Sequence, residues 1–141
     1  MRRDSSETKR KILTVCVRLF LEQGYKNTSV SQIVDEAGVA RGSYLNLFPT
    51  KDRILLDLTE TMFGGQFGMA RSITDTKLPP VYTYALETAI QLTLTELNEN
   101  LREIYIEAYS LPETSEYIYL HTTAELKQIF GEYFPDDTES D

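Results

Sequence analysis

Reactive and metal-binding side chains are scarce in this sequence, which has one cysteine, one histidine and no tryptophan among its 141 residues. Cys16 has no second cysteine for an internal disulfide, which fits a reducing compartment. His121 has no second histidine with which to bind a metal ion. No nucleophile–base pair, glycine-rich phosphate loop or carboxylate-rich metal motif is present either. We therefore expect no metal, no cofactor and no enzymatic activity.

Long apolar segments are absent as well. No run of about 18 apolar residues is found that would span a bilayer. The charged N-terminus is not followed by the apolar segment and small-residue cleavage site of a secretory signal. These absences predict a cytoplasmic protein without membrane contact.

Positive charge is lacking over most of the chain, whose net charge is −8. Residues 1–53 nevertheless hold ten Lys and Arg against six Asp and Glu, a net charge of +4. Residues 54–141 hold four against sixteen, a net charge of −12. A basic segment followed by an acidic one indicates a polyanionic partner for the first segment, although surface charges also cluster by chance.

Helical periodicity is present throughout, and no strand pattern or repeat interrupts it, so the fold is predicted to be all-α. The predicted helices span about 7–23, 30–37, 41–47, 81–99, 102–110 and 113–133, with another beginning after Thr50. Ser29 and Gln32 have the spacing of a capping box at the second helix. Gly64, Gly65 and Gly68 predict a kink or an early end in the fourth helix. In the fifth predicted helix, the apolar residues that lie near helical spacing are Ala85, Ala89, Leu92 and Leu97.

The second and third predicted helices are separated by a short turn at Gly38, as in a helix-turn-helix motif. In that motif the second helix inserts its N-terminal residues into the major groove of DNA. Hydroxyls, cations, amides and small residues suit contacts with phosphates and base edges. The residues of these types expected at DNA are Thr28, Ser29, Ser31, Arg41, Gly42, Ser43, Asn46 and Lys51. The alternative is a compact helical corner that binds no DNA.

The span from Lys11 to about Leu56 resembles the DNA-binding head of tetracycline-repressor-like (TetR) regulators. The matching residues are Ile12-Leu13, Leu19-Phe20, Gly24-Tyr25, Ser29, Ala37-Gly38-Val39, Gly42-Ser43, Phe48 and Thr50-Lys51-Asp52. The resemblance implies a ligand-responsive repressor that binds a near-palindromic double-stranded DNA operator as a homodimer. Ligand binding would then shift the fourth helix, with the motion absorbed near Gly64 and Gly65.

Two residues depart from the family pattern. Ala40 stands where the family commonly has a serine that caps the recognition helix. Leu45 stands where the family commonly has a tyrosine whose hydroxyl reaches a phosphate. We expect that contact to be absent, or replaced by an apolar contact of Leu45 with a thymine methyl or a sugar. Tyr44 matches an apolar family position and is predicted to pack inward.

The remainder of the chain is expected to form a helical body for ligand binding and dimerisation, shortened at its C-terminus relative to the family. We place the DNA-binding domain at residues 1–50 and the regulatory domain at 51–141, with a disordered tail at 135–141. The candidate ligand-binding residues are Met62, Phe63, Phe67, Tyr105, Tyr109 and Tyr117, although aromatic residues at helical spacing more often serve packing. The acidic body favours a cationic or aromatic effector. The alternative function is a shortened module that heterodimerises with, or titrates, a full-length regulator without productive DNA binding.

Overall fold

A computed structural model describes residues 2–74 and 77–131, and this part of the chain consists of helices joined by short turns, with no strand. The all-α prediction is therefore confirmed. The helices are α1 (Arg2–Gln23), α2 (Val30–Ala37), α3 (Arg41–Leu47), α4 (Lys51–Ile73), α5 (Val81–Leu97), α6 (Glu99–Ser110) and α7 (Pro112–Phe130). The predicted tail at 135–141 and the predicted end of the last helix at 133 lie outside the described residues.

Local capping signals set most helix ends. Gly38 ends α2 in the left-handed conformation, with a φ of 64°. Asn98 lies between α5 and α6, and its side chain accepts a hydrogen bond of 2.9 Å from the Leu101 N–H. This cap ends α5 earlier and starts α6 earlier than the sequence predicts. Pro112 occupies the first turn of α7, where its missing N–H costs no helical hydrogen bond.

Helix α4 runs without a break from Lys51 to Ile73, so the prediction of an early end at its glycines is wrong. Phe63, Gln66 and Phe67, which alternate with the glycines, are all buried. Their burial offsets the low helix propensity of Gly64 and Gly65, since tertiary packing supplies most helix stability in proteins.

The largest hydrophobic cluster lies beneath the first four helices, and we call it the head core. Its buried members are Ile12, Cys16, Leu19, Phe20, Tyr25, Ile33, Val34, Tyr44, Phe48, Ile54, Leu55, Leu58 and Ile104. Three of these residues belong to α4, and Ile104 belongs to α6. The domain boundary at residue 50 stays a prediction, and packing continues across it.

A second cluster, the body core, lies between α4, α6 and α7 and consists of Phe63, Tyr105, Ala108 and Ile118. Helix α5 covers the body core, and the residues at its apolar spacing do not face inward. Ala85 and Ala89 are exposed, as are Leu92 and Leu97, which are 60% and 77% exposed. The inward residue of α5 is Glu87.

Polar contacts also join the first four helices to α6 and α7. The Asn100 side-chain amide donates a 2.8 Å hydrogen bond to the Leu21 carbonyl oxygen at the end of α1. Lys26 pairs with Glu107 at 3.1 Å, and Arg53 pairs with Glu113 at 3.0 Å. Helix α6 therefore lies directly against α1. Within the described ranges, no helix has the length and apolar character needed to cross a bilayer.

Candidate nucleic-acid interface

The start of α2 is set by Ser29, whose exposed side chain accepts a 3.1 Å hydrogen bond from the Gln32 N–H. This is one half of the predicted capping box. The reciprocal half is wrong, because the Gln32 side chain exchanges hydrogen bonds of 2.7 and 3.2 Å with the Gln23 side chain instead. These bonds fix α2 against the end of α1.

Thr28 does not offer its hydroxyl to the outside. Its side chain is buried and donates a 2.8 Å hydrogen bond to the Gly24 carbonyl oxygen. The same hydroxyl accepts a 3.2 Å hydrogen bond from Gln23. The prediction of an outward hydroxyl at Thr28 is therefore wrong. The residue closes the turn that precedes Ser29.

Helix α3 has two distinct faces. Tyr44 and Phe48 are buried in the head core, with ring centres 5.8 Å apart, as predicted for Tyr44. Gly42, Leu45 and Asn46 are exposed on the opposite side. The aromatic pair holds the helix in place, so its outward face is presented on a rigid support.

Arg41 joins α3 to α2. Its guanidinium donates a 3.1 Å hydrogen bond to the Ser31 hydroxyl, and both residues are exposed. Ala40 makes no side-chain capping bond at the start of α3, as its sequence predicts. The first N–H groups of α3 are therefore not capped by the preceding side chain.

Lys51 is turned toward the protein rather than into solvent. Its ammonium donates to the Tyr25 carbonyl oxygen and lies 4.1 Å from the centre of the Tyr25 ring. Burial lowers the pKa of Lys51, and this effect exceeds the opposing influence of Asp52. The expectation of a free cation at Lys51 is corrected by this placement. The Tyr25 hydroxyl in turn donates to Asp52, and burial is the main cause of its raised pKa.

Five of the eight Lys and Arg side chains that the structure describes within residues 5–53 are paired with carboxylates. The ion pairs are Lys9 with Asp57, Lys11 with Glu7, Arg18 with Glu22 and Glu36, Lys26 with Glu107, and Arg53 with Glu113. Arg10 and Arg41 have no carboxylate partner among the described side chains. The free positive charge near α2 and α3 is thus smaller than the sequence total indicates.

The candidate ligand-binding residues of the body come together only in part. The Phe63 ring centre lies 5.8 Å from that of Tyr105 and 5.9 Å from that of Tyr109. Met62 and Tyr117 pack against the same cluster, while Tyr109 is exposed. Phe67 instead contacts His121, whose ring stacks on Tyr117 with the centres 5.4 Å apart.

A buried polar group lies among these aromatic residues and was missed in the sequence. The Gln66 amide donates a 3.0 Å hydrogen bond to Glu87 and accepts a hydrogen bond from the Tyr105 hydroxyl. Glu87 is only 5% exposed, and burial raises the pKa of its carboxyl group. A stripe at helical spacing on α5, formed by Thr83, Glu87, Ile90 and Leu94, is the sequence signal that would have found it.

His121, on α7, packs against Phe67 of α4. Its Nε2 atom is buried without a hydrogen-bond partner in the described structure and lies 3.8 Å from a Glu125 oxygen. Glu125 is itself buried and pairs with Arg71. Across residues 2–74 and 77–131, no group of three or more His, Cys, Asp or Glu side chains is arranged to hold a metal ion.

Residues 12–58 match a known family, described as bacterial regulatory proteins, tetR family. The matched segment contains α2, α3 and the first part of α4. The chain is 28% identical over 116 residues to the uncharacterized HTH-type transcriptional regulator YuxN of Bacillus subtilis (strain 168). That alignment covers 78% of this chain and 38% of the relative.

A second relative is the HTH-type transcriptional repressor KstR2 of Mycolicibacterium smegmatis (strain ATCC 700084 / mc(2)155). It is 29% identical over 70 residues, which cover 50% of this chain and 34% of that protein. The chain therefore spans little more than a third of the length of each of these relatives.

Two solved structures share the fold. One is a transcriptional regulator of the TerR/AcrR family from Aquifex aeolicus VF5, with a TM-score of 0.58, 20% identity, and coverage of 91% of this chain and 74% of that chain. The other is a gamma-butyrolactone receptor described as an ArpA like protein, with a TM-score of 0.56, 19% identity, and coverage of 97% and 72%. At these identities the similarity concerns the fold. The family match itself spans residues 12–58, so it is this segment, with α2 and α3, that resembles the bacterial regulatory proteins of the tetR family.

Proposed function

We propose that this protein is a DNA-binding transcriptional regulator, and specifically a cytoplasmic, ligand-responsive repressor. The outward face of α3 carries the proposal. Tyr44 and Phe48 anchor the helix, while Gly42, Ser43 and Asn46 remain exposed on it. A helix held in this way, after a short turn from α2, has the geometry with which helix-turn-helix proteins read the major groove.

The proposed contacts fall into two groups. Ser29, Ser31 and the N-terminal turn of α2 face phosphates, because helix N-termini and hydroxyls favour anions. Arg41, Gly42, Ser43, Leu45 and Asn46 face the groove from α3. Thr28 and Lys51 act as positioning residues, because both side chains are engaged inside the head.

Operation as a homodimer is part of the proposal. Two heads would meet successive major grooves about 34–36 Å apart on a near-palindromic operator. Repression is supported by the name of the KstR2 relative, a transcriptional repressor. The alternative of a module that only titrates a partner is not favoured, because the exposed polar face of α3 is intact.

We further propose that an effector binds in the body, near Phe63, Phe67, Tyr105 and Tyr117. A cationic or aromatic effector suits this region, since Glu87 is buried with only neutral hydrogen-bond partners, Gln66 and Thr88. A carboxylate in aromatic surroundings attracts cations. The gamma-butyrolactone receptor with the same fold supports a receptor role for such a body.

The effector would change DNA binding by shifting a population between two states. Helix α4 runs from the body core into the head core, and α6 contacts α1 through Asn100. A ligand that displaces either helix would therefore change the position of the head. The ligand must bind the two states with different affinity for this to occur.

Selection from a random duplex library tests the DNA-binding proposal. We expect one near-palindromic sequence to be enriched, with affinity falling steeply between about 50 and 200 mM salt. Ser72→Ala, which changes an exposed residue at the far end of α4, serves as the control and should select the same sequence. Absence of binding by the purified protein at low salt would overturn the proposal.

A further inference from the structure

Leu45 is an exposed apolar side chain on a face that is otherwise small or polar. It is 42% exposed, whereas Tyr44 and Phe48 on the inner side of the same segment are buried. On the outer face, Gly42 lies one turn before Leu45, at i−3, and Asn46 directly follows Leu45 in the sequence. The side chain therefore adds nothing to the head core and is available to a partner.

The space around Leu45 is open. A Cβ atom placed on Gly42 would meet no heavy atom within 4 Å beyond its own helix. Gly42 has no side chain to cover Leu45, and it lets the helix backbone approach a groove closely. An apolar group facing α3 would therefore meet no side chain at Gly42 as it approaches the exposed Leu45.

The chemistry of the major groove offers one apolar group on the base edges, the C5-methyl of thymine. The other groups there are hydrogen-bond donors and acceptors, which leucine cannot satisfy. Asn46 beside it carries the amide that pairs with the N6 and N7 atoms of adenine. The two side chains together suit an A·T-containing half-site.

We propose that Leu45 contacts a thymine methyl and is a specificity-determining residue of each half-site. This inference rests on the proposed function, since it requires α3 to lie in the major groove. It names the methyl rather than a sugar, and the two are distinguished by experiment, because only a methyl contact makes binding depend on the base at that position. The contact is apolar and adds no phosphate neutralisation, so it should not change the salt dependence of binding.

Replacing thymine by deoxyuridine, one position at a time in the selected operator, removes each methyl without changing base pairing. We expect one position per half-site at which this replacement weakens binding about fourfold, the value of one buried methyl or methylene group. Leu45→Ala should bind more weakly and should lose the response at that position alone. Val17→Ala is the matched control, because Val17 is also 42% exposed but lies on α1, outside the proposed interface.

The outcomes are distinguishable. If the protein selects an operator but no thymine methyl matters, or if Leu45→Ala responds at every position as the unchanged protein does, the Leu45 contact is refuted while DNA binding stands. If no sequence is selected, the proposed function fails and the inference fails with it. Thermal unfolding of each variant shows whether the head remains folded.

Discussion

The Lys51 ammonium lies over the Tyr25 ring and donates to the Tyr25 carbonyl oxygen, which joins the start of α4 to the turn after α1. The ion is half-buried, and the ring is itself packed edge-on against Phe20, with centres 5.1 Å apart. The Lys51 cation therefore holds the start of α4 in place, and the orientation of α4 depends on that contact.

Lys51→Ala should lower the free energy of unfolding by about 1–2 kcal/mol, because it removes a charged hydrogen bond and a cation–π contact. It should also weaken binding to all DNA sequences alike, since it affects the position of the head rather than base contacts. Urea denaturation and operator titration measure the two effects. Lys26→Ala removes an exposed ion pair with Glu107 and should change stability by less than about 1 kcal/mol. Equal effects of the two changes would contradict the docked position of Lys51.

Asn46→Ala should relax sequence preference at one base position per half-site, at a cost of about 1–3 kcal/mol there. The exposed amide of Asn46 is the group on α3 suited to paired hydrogen bonds with a base edge. Library selection with the variant protein measures the change, with Ser72→Ala as the control. A uniform loss across all positions would place Asn46 at the backbone instead.

Glu87→Gln should make stability less sensitive to pH. Burial raises the pKa of Glu87 above its ordinary value of 4.5, with Glu125 on α7 adding to the shift and His121 opposing it. The folded protein therefore holds this proton more tightly than the unfolded chain. The stabilising contribution is complete below about pH 4.5 and is lost as the pH rises through the folded-state pKa.

The variant should accordingly gain stability relative to the unchanged protein as the pH is raised from about 4.5 to about 8. Urea denaturation at both pH values measures this difference. Glu96→Gln is the matched control, because Glu96 is an exposed residue of the same helix. A constant difference at both pH values would mean that Glu87 is not the group responsible.

Gly64→Ala combined with Gly65→Ala should raise the free energy of unfolding by about 1–2 kcal/mol, because alanine favours the helix at both positions. A Cβ on either residue would meet nothing within 4 Å beyond the helix itself. Gly38→Ala is the contrasting control and should destabilise by about 1 kcal/mol, since Gly38 has a φ of 64°. Calorimetry measures whether each variant is stabilised or destabilised.

The same double variant tests the proposed hinge in α4. If the glycines absorb the ligand-driven shift, stiffening them should reduce the release of operator by the effector. An unchanged operator affinity together with an unchanged effector response would exclude that role.

The sequence predicts the bounds of α2 and α3 because their signals are local. Ser29 and Gly38 cap the two ends of α2, and α3 stops at Phe48, directly before Pro49, which disfavours the helical conformation in the residue preceding it. The inward position of Tyr44 follows from the resemblance to the family and is confirmed.

The positions of Lys51 and Glu87 depend on contacts that local sequence does not contain. Lys51 meets a carbonyl oxygen 26 residues away, and Glu87 meets a Gln66 amide 21 residues away. Local sequence does not reveal the inner face of α5 either, because its apolar residues Leu92 and Leu97 are exposed and the Glu87 carboxylate is buried.

Ile104 is a residue of α6 that belongs to the head core. A fragment ending at residue 58 would leave a gap at that place and expose the apolar side chains around it to water. We therefore expect the segment that matches the family to be less stable alone than within this chain. Head and body should melt in a single cooperative transition, and a strain applied to α6 reaches the DNA-facing helices through packed side chains rather than through a flexible linker.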